Sequence, residues 1–391
     1  MGEPTTVSRA DGWRQRVNGW LFGFFVLTSS LFGTLYFFLP FVPLMFLAPR
    51  IWRQYIDRLS GYWTYVTAGM IRLLFGVKTR VIGDKIEAEE MALYIMNHRT
   101  SLDWLFFWNA LYQQDPRLTD SQKVILKSSE KYLPGGGWAM QCNSFIFLER
   151  NFQKDKMKIR QLLDYYTDIG NSYQLLLFPE GTDRCPKGAL RNERYAAKMD
   201  LKPYSYVLHP RTKGFVYIVQ EMRRSGKLKA IYDITVGYKD KIVQKETDIV
   251  FEGLAPQDVH FQIIRIPIEQ LPDDDRQLVE WIEKRWANKE EKLRQFYEAP
   301  RGETFENTPQ GAEYELTPDA ERMSSLGIIA CAGGTVLWML GLLPFSSMFS
   351  WFSFCGVLFY LIVPVLFGGV EFLAIEGLRF SKGWTKQKRA D

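Results

Sequence analysis

The tightest constraint on this chain is where its charges are missing. Residues 19–47 carry no charged side chain, and residues 326–343 and 349–373 form a second apolar block whose one charge is Glu371. A spanning helix needs about 20 apolar residues. Backbone polar groups inside a bilayer must also be satisfied within the segment, which leaves the helix as the form such a run can take. Charged sequence is confined to the middle, so the chain is a polar domain set between two apolar ends.

The N-terminal run is too long for one untilted helix and too short for two crossings. Pro40 and Pro43 interrupt it. Arg9, Arg14 and Arg16 precede it and Arg50, Arg53 and Arg58 follow, so the flanks give no orientation. These features predict a re-entrant or interfacial helix pair, with residues 61–75 as a further helix on the membrane. The run is too long for a cleaved leader and lacks a small-residue cleavage site. The C-terminal block is divided at Pro344 and Ser346-Ser347, and Arg379, Lys382, Lys386, Lys388 and Arg389 lie beyond it. That pattern predicts a transmembrane hairpin with both ends in the cytosol, and the central domain with them. The last residues, Lys388-Arg389-Ala390-Asp391, resemble a dilysine-type retrieval signal to the endoplasmic reticulum membrane.

An excess of 49 Lys and Arg over 44 Asp and Glu gives a net charge of +5, which favours anionic lipid or phosphorylated ligands. No helix-turn-helix, zinc-finger or RNP pattern occurs, so nucleic acid is not an expected partner. Cys142, Cys185, Cys331 and Cys355 are scattered without a C-x-x-C, which argues against a disulfide framework or a metal site.

Between residues 77 and 299, short β-forming runs (77–82, 93–96, 124–126, 145–148, 175–178, 230–236 and 261–268) alternate with helical patterns (102–111, 154–169, 189–198 and 273–297). This interleaving predicts an α/β fold, a mixed central sheet flanked by helices, with N-terminal membrane helices and a C-terminal transmembrane hairpin. The expected plan is membrane helices over 1–76, the α/β domain over 77–299, a linker over 300–325, the hairpin over 326–375 and a basic tail over 376–391.

Asn97-His98-Arg99-Thr100-Ser101-Leu102-Asp103 follows the apolar run 93–96, and His98 is one of three histidines. Thr100 and Asp103 also match a helix capping box, which alone would account for the carboxylate. On a continuous helix, residues five apart lie about 140° apart and share no face. A helix that begins between His98 and Asp103 instead folds the carboxylate back to the imidazole. Asp103 then fixes the tautomer, and the other ring nitrogen is free to take a proton from a hydroxyl. Phe178-Pro179-Glu180-Gly181-Thr182 also ends a strand-like run, and strand ends of an α/β sheet converge on one crevice. The block reads equally as a plain turn before a helix. Arg150 ends the run 145–148, where its fork suits phosphate oxygens. His209 reads as a satisfied loop histidine.

These blocks resemble the signature of the glycerolipid acyltransferase (1-acylglycerol-3-phosphate acyltransferase) family, over roughly residues 77–299. Residues 124–127, 137–141, 207–215 and 259–261 resemble most its lysocardiolipin and lysophosphatidylinositol acyltransferase branch. The resemblance implies transfer of a fatty acyl group from acyl-CoA, a co-substrate, to the free hydroxyl of a lysophospholipid, with no metal or other cofactor. It makes His98 the general base and Asp103 its partner. Glu180, Gly181 and Thr182 shape the acceptor site, Arg150 binds acceptor phosphate, and Lys127, Arg184 and Arg211 complete the substrate-binding set. One departure stands out. Asp183 follows the E-G-T block where phosphatidate-forming members commonly carry arginine, which opposes a dianionic phosphate monoester and shifts the expectation to phosphodiester lysolipids.

Overall fold

The structure is a computed structural model that describes residues 9–300 and 302–387. Among them are the strands β1 (Lys78–Gly83), β2 (Met91–Met96), β3 (Gln122–Lys127), β4 (Ile146–Leu148), β5 (Gln174–Leu177), β6 (Leu228–Tyr238), β7 (Asp258–Pro267) and β8 (Ala312–Tyr314). They form one mixed sheet in the order β4-β3-β5-β2-β6-β7-β1-β8. The five strands from β4 to β6 run parallel, so their C-terminal ends share one edge. β7 is antiparallel to β6, and β1 lies parallel to β7. This is the expected α/β architecture.

The sheet is covered on both faces. On β2, Leu93 and Ile95 point to one side, and Ala92, Tyr94 and Met96 to the other, all buried. The α-helices of twelve residues or more are α1 (Arg9–Phe32), α2 (Pro49–Phe75), α3 (Asp103–Gln114), α4 (Phe152–Ile169), α5 (Pro186–Lys198), α6 (Thr212–Arg224), α7 (Asp275–Glu298), α8 (Pro318–Leu337), α9 (Ser347–Phe367) and α10 (Val370–Gln387). Ile159, Leu162, Phe215, Val219, Ile282 and Trp286 bring α4, α6 and α7 to the first face. Val66, Ile71, Leu105 and Phe106 bring α2 and α3 to the second.

The apolar ends differ from expectation in detail. Residues 12–41 form one helical run of 30 residues, long and apolar enough to cross a bilayer, where a broken pair was expected. Pro40 falls in the first turn of the short 3-10 helix Leu39–Phe41, and Pro43 caps Leu44–Leu47, positions at which a missing N–H is harmless. The helix expected from residue 61 starts at Pro49 and packs on the sheet. The charges that read as a flank are partly internal. Arg53, 1% exposed, bonds Asp57 Oδ1 (2.8 Å), Cys142 O (3.0 Å), Ser144 Oγ (3.0 Å) and Asn143 Oδ1 (2.9 Å). Lys123 from β3 joins them through Asp57 Oδ1 (2.6 Å) and Asn143 Oδ1 (2.7 Å).

At the other end, two helical runs, Pro318–Leu342 and Ser347–Phe367, meet the length and composition of a spanning pair. The second run stops before Gly368, two residues short of α10, and so excludes Glu371. Glu371 is buried and pairs with buried Lys131. The expected linker contributes β8, which pairs with β1. The segment after Arg211 is helical, with Phe215, Ile218, Val219 and Met222 buried. The retrieval-like residues Lys388-Arg389-Ala390-Asp391 lie outside the described residues. Both apolar ends meet through aromatic contacts: Trp338 lies 5.5 Å from Phe32 and 5.7 Å from Tyr36, ring to ring.

α7 is fixed to the sheet by charge. Buried Asp233 on β6 accepts from Arg285 Nε (2.8 Å) and Lys289 Nζ (2.6 Å). Burial raises its carboxyl, but Lys289 and Arg285 more than offset this and bring it down to about 2. A group depressed below its unfolded value stabilises the fold above about pH 4 and loses that contribution as pH falls towards 2. Asp233→Asn should lower stability at pH 7 by about 3–5 kcal/mol, because Lys289 is left buried without its counter-charge. Thermal unfolding of the detergent-solubilised chain measures this, and the variant should lack the wild type's loss of stability between about pH 4 and pH 2.

Candidate active site

The chain leaves β2 at Met96 and enters α3 at Asp103. The Asn97 side chain clamps the backbone of β6: its Nδ2 donates to Val236 O (3.0 Å) and its Oδ1 accepts from Val236 N–H (2.9 Å). His98 is thereby held level with the end of β6. The turn that follows brings His98 Nδ1 to 2.9 Å from Asp103 Oδ2. Thr100 N–H donates to Asp103 Oδ2 (3.1 Å) and Leu102 N–H to Thr100 Oγ1 (3.1 Å). The capping turn and the His–Asp pair are therefore one arrangement, and the same carboxylate serves both. Asp103 is fully buried, and the His98 side chain is 17% exposed with its ring stacked on Phe178 at 4.0 Å.

The 178–182 block ends β5, the strand beside β2. Glu180 is buried and accepts from three donors: His98 N–H (3.2 Å), Trp286 Nε1 (3.1 Å) and Leu208 N–H (3.1 Å). Burial pushes its carboxyl up to about 8, against the pull of these donors. Its place is under the site, where it joins two strand ends, α7 and the 207–209 loop. Gly181 has φ +73°, the left-handed region that favours glycine. Thr182 Oγ1 donates to Asp183 Oδ1 (3.3 Å), and Gln244 Nε2 donates to Asp183 Oδ2 (2.7 Å). Arg184 N–H donates to His98 O (2.8 Å), and Arg99 donates from its guanidinium to Arg184 O (3.1 Å). Arg184 Nε is buried with no partner among the described residues.

Arg211 N–H donates to Pro179 O (2.6 Å), and its guanidinium lies 5.2 Å from the centre of the Tyr195 ring. Arg184 and Arg211 are thus tied to the loops around His98. Lys127 and Arg150 lie on the same sheet edge but farther along it, at the end of β3 and two residues past β4. β4 is three strands from β2, roughly 14 Å at the usual spacing. Both side chains are exposed. Arg150 has φ +62° at the tip of a turn whose flanking N–H groups, from Glu149 and Asn151, both donate to Asp155 (2.9 Å each).

His209 stacks on Tyr204 at 4.2 Å and bonds Lys202 O through Nε2 (3.1 Å), as expected of a satisfied loop histidine. Cys142 is buried, and burial pushes its thiol up to about 12, far from a nucleophilic state. Sequence reasoning missed Tyr238 and Trp286, which hydrogen-bond Asp103 and Glu180 from 135 and 106 residues away. Nothing local to either residue signals that pairing.

The comparisons with known proteins fit this geometry. A family model described as acyltransferase matches residues 78–239, and one described as acyltransferase C-terminus matches residues 250–326. The chain is similar to a Caenorhabditis elegans protein named lysophosphatidylinositol acyltransferase 10, 43% identical over 280 residues that cover 71% of each chain. It is also similar to lysocardiolipin acyltransferase 1 of Gallus gallus, 37% identical over 367 residues, 93% of this chain and 94% of the relative. A probable 1-acyl-sn-glycerol-3-phosphate acyltransferase 5 of Arabidopsis thaliana is 34% identical over 307 residues, 78% of this chain and 79% of the relative. The chain belongs to the glycerolipid acyltransferase family, the membership its motifs led one to expect.

Glu180→Gln tests the supporting role of that carboxylate. The amide would turn an NH2 group towards a backbone or indole N–H. Measured at about pH 9, where Glu180 is ionised, the fold should lose about 1–3 kcal/mol, read by thermal unfolding, and activity should fall with it. A purely ligand-contacting Glu180 would lower activity at unchanged stability.

Proposed function

We propose that this protein is an acyl-CoA-dependent lysophospholipid acyltransferase in which His98 is the general base. The observation that carries the reading is the His98–Asp103 pair. Nδ1 is committed to a carboxylate with no access to water, while Nε2 has no partner among the described residues. A neutral imidazole held in that tautomer presents a lone pair to a hydroxyl. The acceptor O–H gives its proton to Nε2 as the oxygen attacks the thioester carbonyl carbon. The tetrahedral intermediate then expels the CoA thiolate, which recovers the proton from His98. The thioester is already activated, so direct attack needs no acyl-enzyme.

The acceptor is of the lysophosphatidylinositol or lysocardiolipin type. Arg99 and Arg184 supply two guanidiniums beside His98, with a buried Nε on Arg184 left over for an anion. Asp183 sits among them and disfavours a dianion. Its bond to Gln244 holds the carboxylate in place. The relatives named for lysophosphatidylinositol and lysocardiolipin agree with this choice, while the Arabidopsis relative's name supports lysophosphatidic acid as the rival acceptor. Lys127, Arg150 and Arg211 are assigned to the acyl-CoA and headgroup phosphates. The domain faces the cytosol from the endoplasmic reticulum membrane.

The test uses the full-length protein in liposomes with labelled acyl-CoA, offered lysophosphatidylinositol, lysocardiolipin and lysophosphatidic acid separately. The phosphodiester lysolipids should be acylated only when acyl-CoA is added, and His98→Ala should lower the rate by about 10²–10⁴. A strong preference for lysophosphatidic acid would overturn the headgroup assignment. Lysolipid binding without diacyl product would leave a silent lipid-binding protein.

A further inference from the structure

Asp103 poses a problem that His98 and the capping turn do not solve. A buried carboxylate has about four acceptor positions to fill. Oδ2 accepts from His98 Nδ1 (2.9 Å) and Thr100 N–H (3.1 Å). Oδ1 has only a long contact from Thr100 Oγ1 (3.4 Å) within its own turn. The remaining donor comes from another strand: the Tyr238 hydroxyl lies 2.5 Å from Oδ1.

We propose that Tyr238 is a positioning residue of the acyl-transfer site, which sets the orientation and basicity of Asp103 and through it those of His98. This rests on the general-base reading of His98. Tyr238 ends β6, and the Asn97–Val236 bonds hold that strand end level with His98. Its ring is buried, edge-on to Phe106 of α3 at 5.9 Å, and its N–H donates to Tyr297 Oη (3.3 Å). The ring is thus fixed from the sheet, from α3 and from α7. Burial and the adjacent Asp103 hold the phenol well above its usual range, so it stays a neutral donor.

The consequence is chemical. A buried carboxylate facing an imidazole alone would draw it towards imidazolium, which has no lone pair for a hydroxyl. Tyr238 takes part of the carboxylate's charge through Oδ1 and keeps Oδ2 turned to His98 Nδ1, with the Nε2 lone pair facing the acceptor. Other ionisable groups bear on the pair from each element around it. Glu180 lies beneath the His98 backbone, Tyr297 beyond Tyr238, and Arg99 and Arg184 at the rim. All remain when only the Tyr238 hydroxyl is removed.

The experiment compares wild type, Tyr238→Phe, His98→Ala and Tyr232→Phe in full-length protein reconstituted in liposomes. Tyr232 is a buried tyrosine of the same strand whose hydroxyl bonds Glu90 (2.8 Å), and it serves as control. Two quantities are read against pH: kcat and KM for acyl transfer, and the carbethoxylation rate of the His98 peptide by mass spectrometry. The second needs no turnover, and His98 is the accessible histidine, since His209 and His260 are buried. Tyr238→Phe should lower kcat about tenfold at pH 7 with KM unchanged, mostly through lost alignment of the imidazole. The acid limb of kcat and the His98 modification pKa should both rise by about one unit. Tyr232→Phe should move neither.

An inactive His98→Ala together with a wild-type profile for Tyr238→Phe would overturn the role of Tyr238 and leave the general base standing. A lower thermal midpoint for Tyr238→Phe with an unmoved His98 pKa would reduce Tyr238 to a structural part. Activity retained in His98→Ala would remove the general base itself, and the catalytic role of Tyr238 with it.

Discussion

A carboxylate shut away from water must be met by donors wherever it points, and the edge of the sheet that carries His98 is built on that demand. Asp103, Glu180 and Asp233 are all buried, and none finds its donors within its own element alone. Asp103 recruits the turn after β2 and the end of β6. Glu180 recruits the β2 exit, the 207–209 loop and α7, and Asp233 recruits α7 a second time. The unmet cost of any one of them is several kcal/mol. The position of His98 is therefore set by a shared electrostatic requirement and not by the loop that carries it.

The same logic joins the segments next to the membrane-length helices to the domain. Arg53 on α2 and Lys123 on β3 share Asp57 and Asn143, and Lys131 reaches Glu371 and Gly368 O at the start of α10. These are internal ion pairs between segments that composition would assign to separate units. A buried pair adds little net stability, but losing one partner is costly. The apolar ends are bound to the sheet through contacts that cannot be dropped singly.

Much of this was legible in the sequence, for physical reasons. Seven of the eight described strands read correctly because a sheet covered on both faces yields continuous apolar runs, as at residues 93–96 and 175–177, while the exposed β8 has no such run. The His98–Asp103 turn was legible because capping chemistry is local. The failures came where long-range partners override local pattern. Arg53 looked like a basic flank because three of its partners, Cys142, Asn143 and Ser144, lie about 90 residues on. Tyr238 and Trp286 were invisible to any short motif. The prolines at 40 and 43 do mark a break in the apolar run, but it falls after a helical run of 30 residues and not between the halves of a pair.

β8 ends at Tyr314 and the first C-terminal apolar helix begins at Pro318, leaving only Glu315, Leu316 and Thr317 between them. Three residues reach roughly 10–14 Å at full extension. A leash that short gives the sheet little freedom to lift or tilt away from the helix it precedes. The site is berthed at a nearly constant height beside its anchor. A lipid whose acyl chain stays in the bilayer would then reach the site by lateral diffusion.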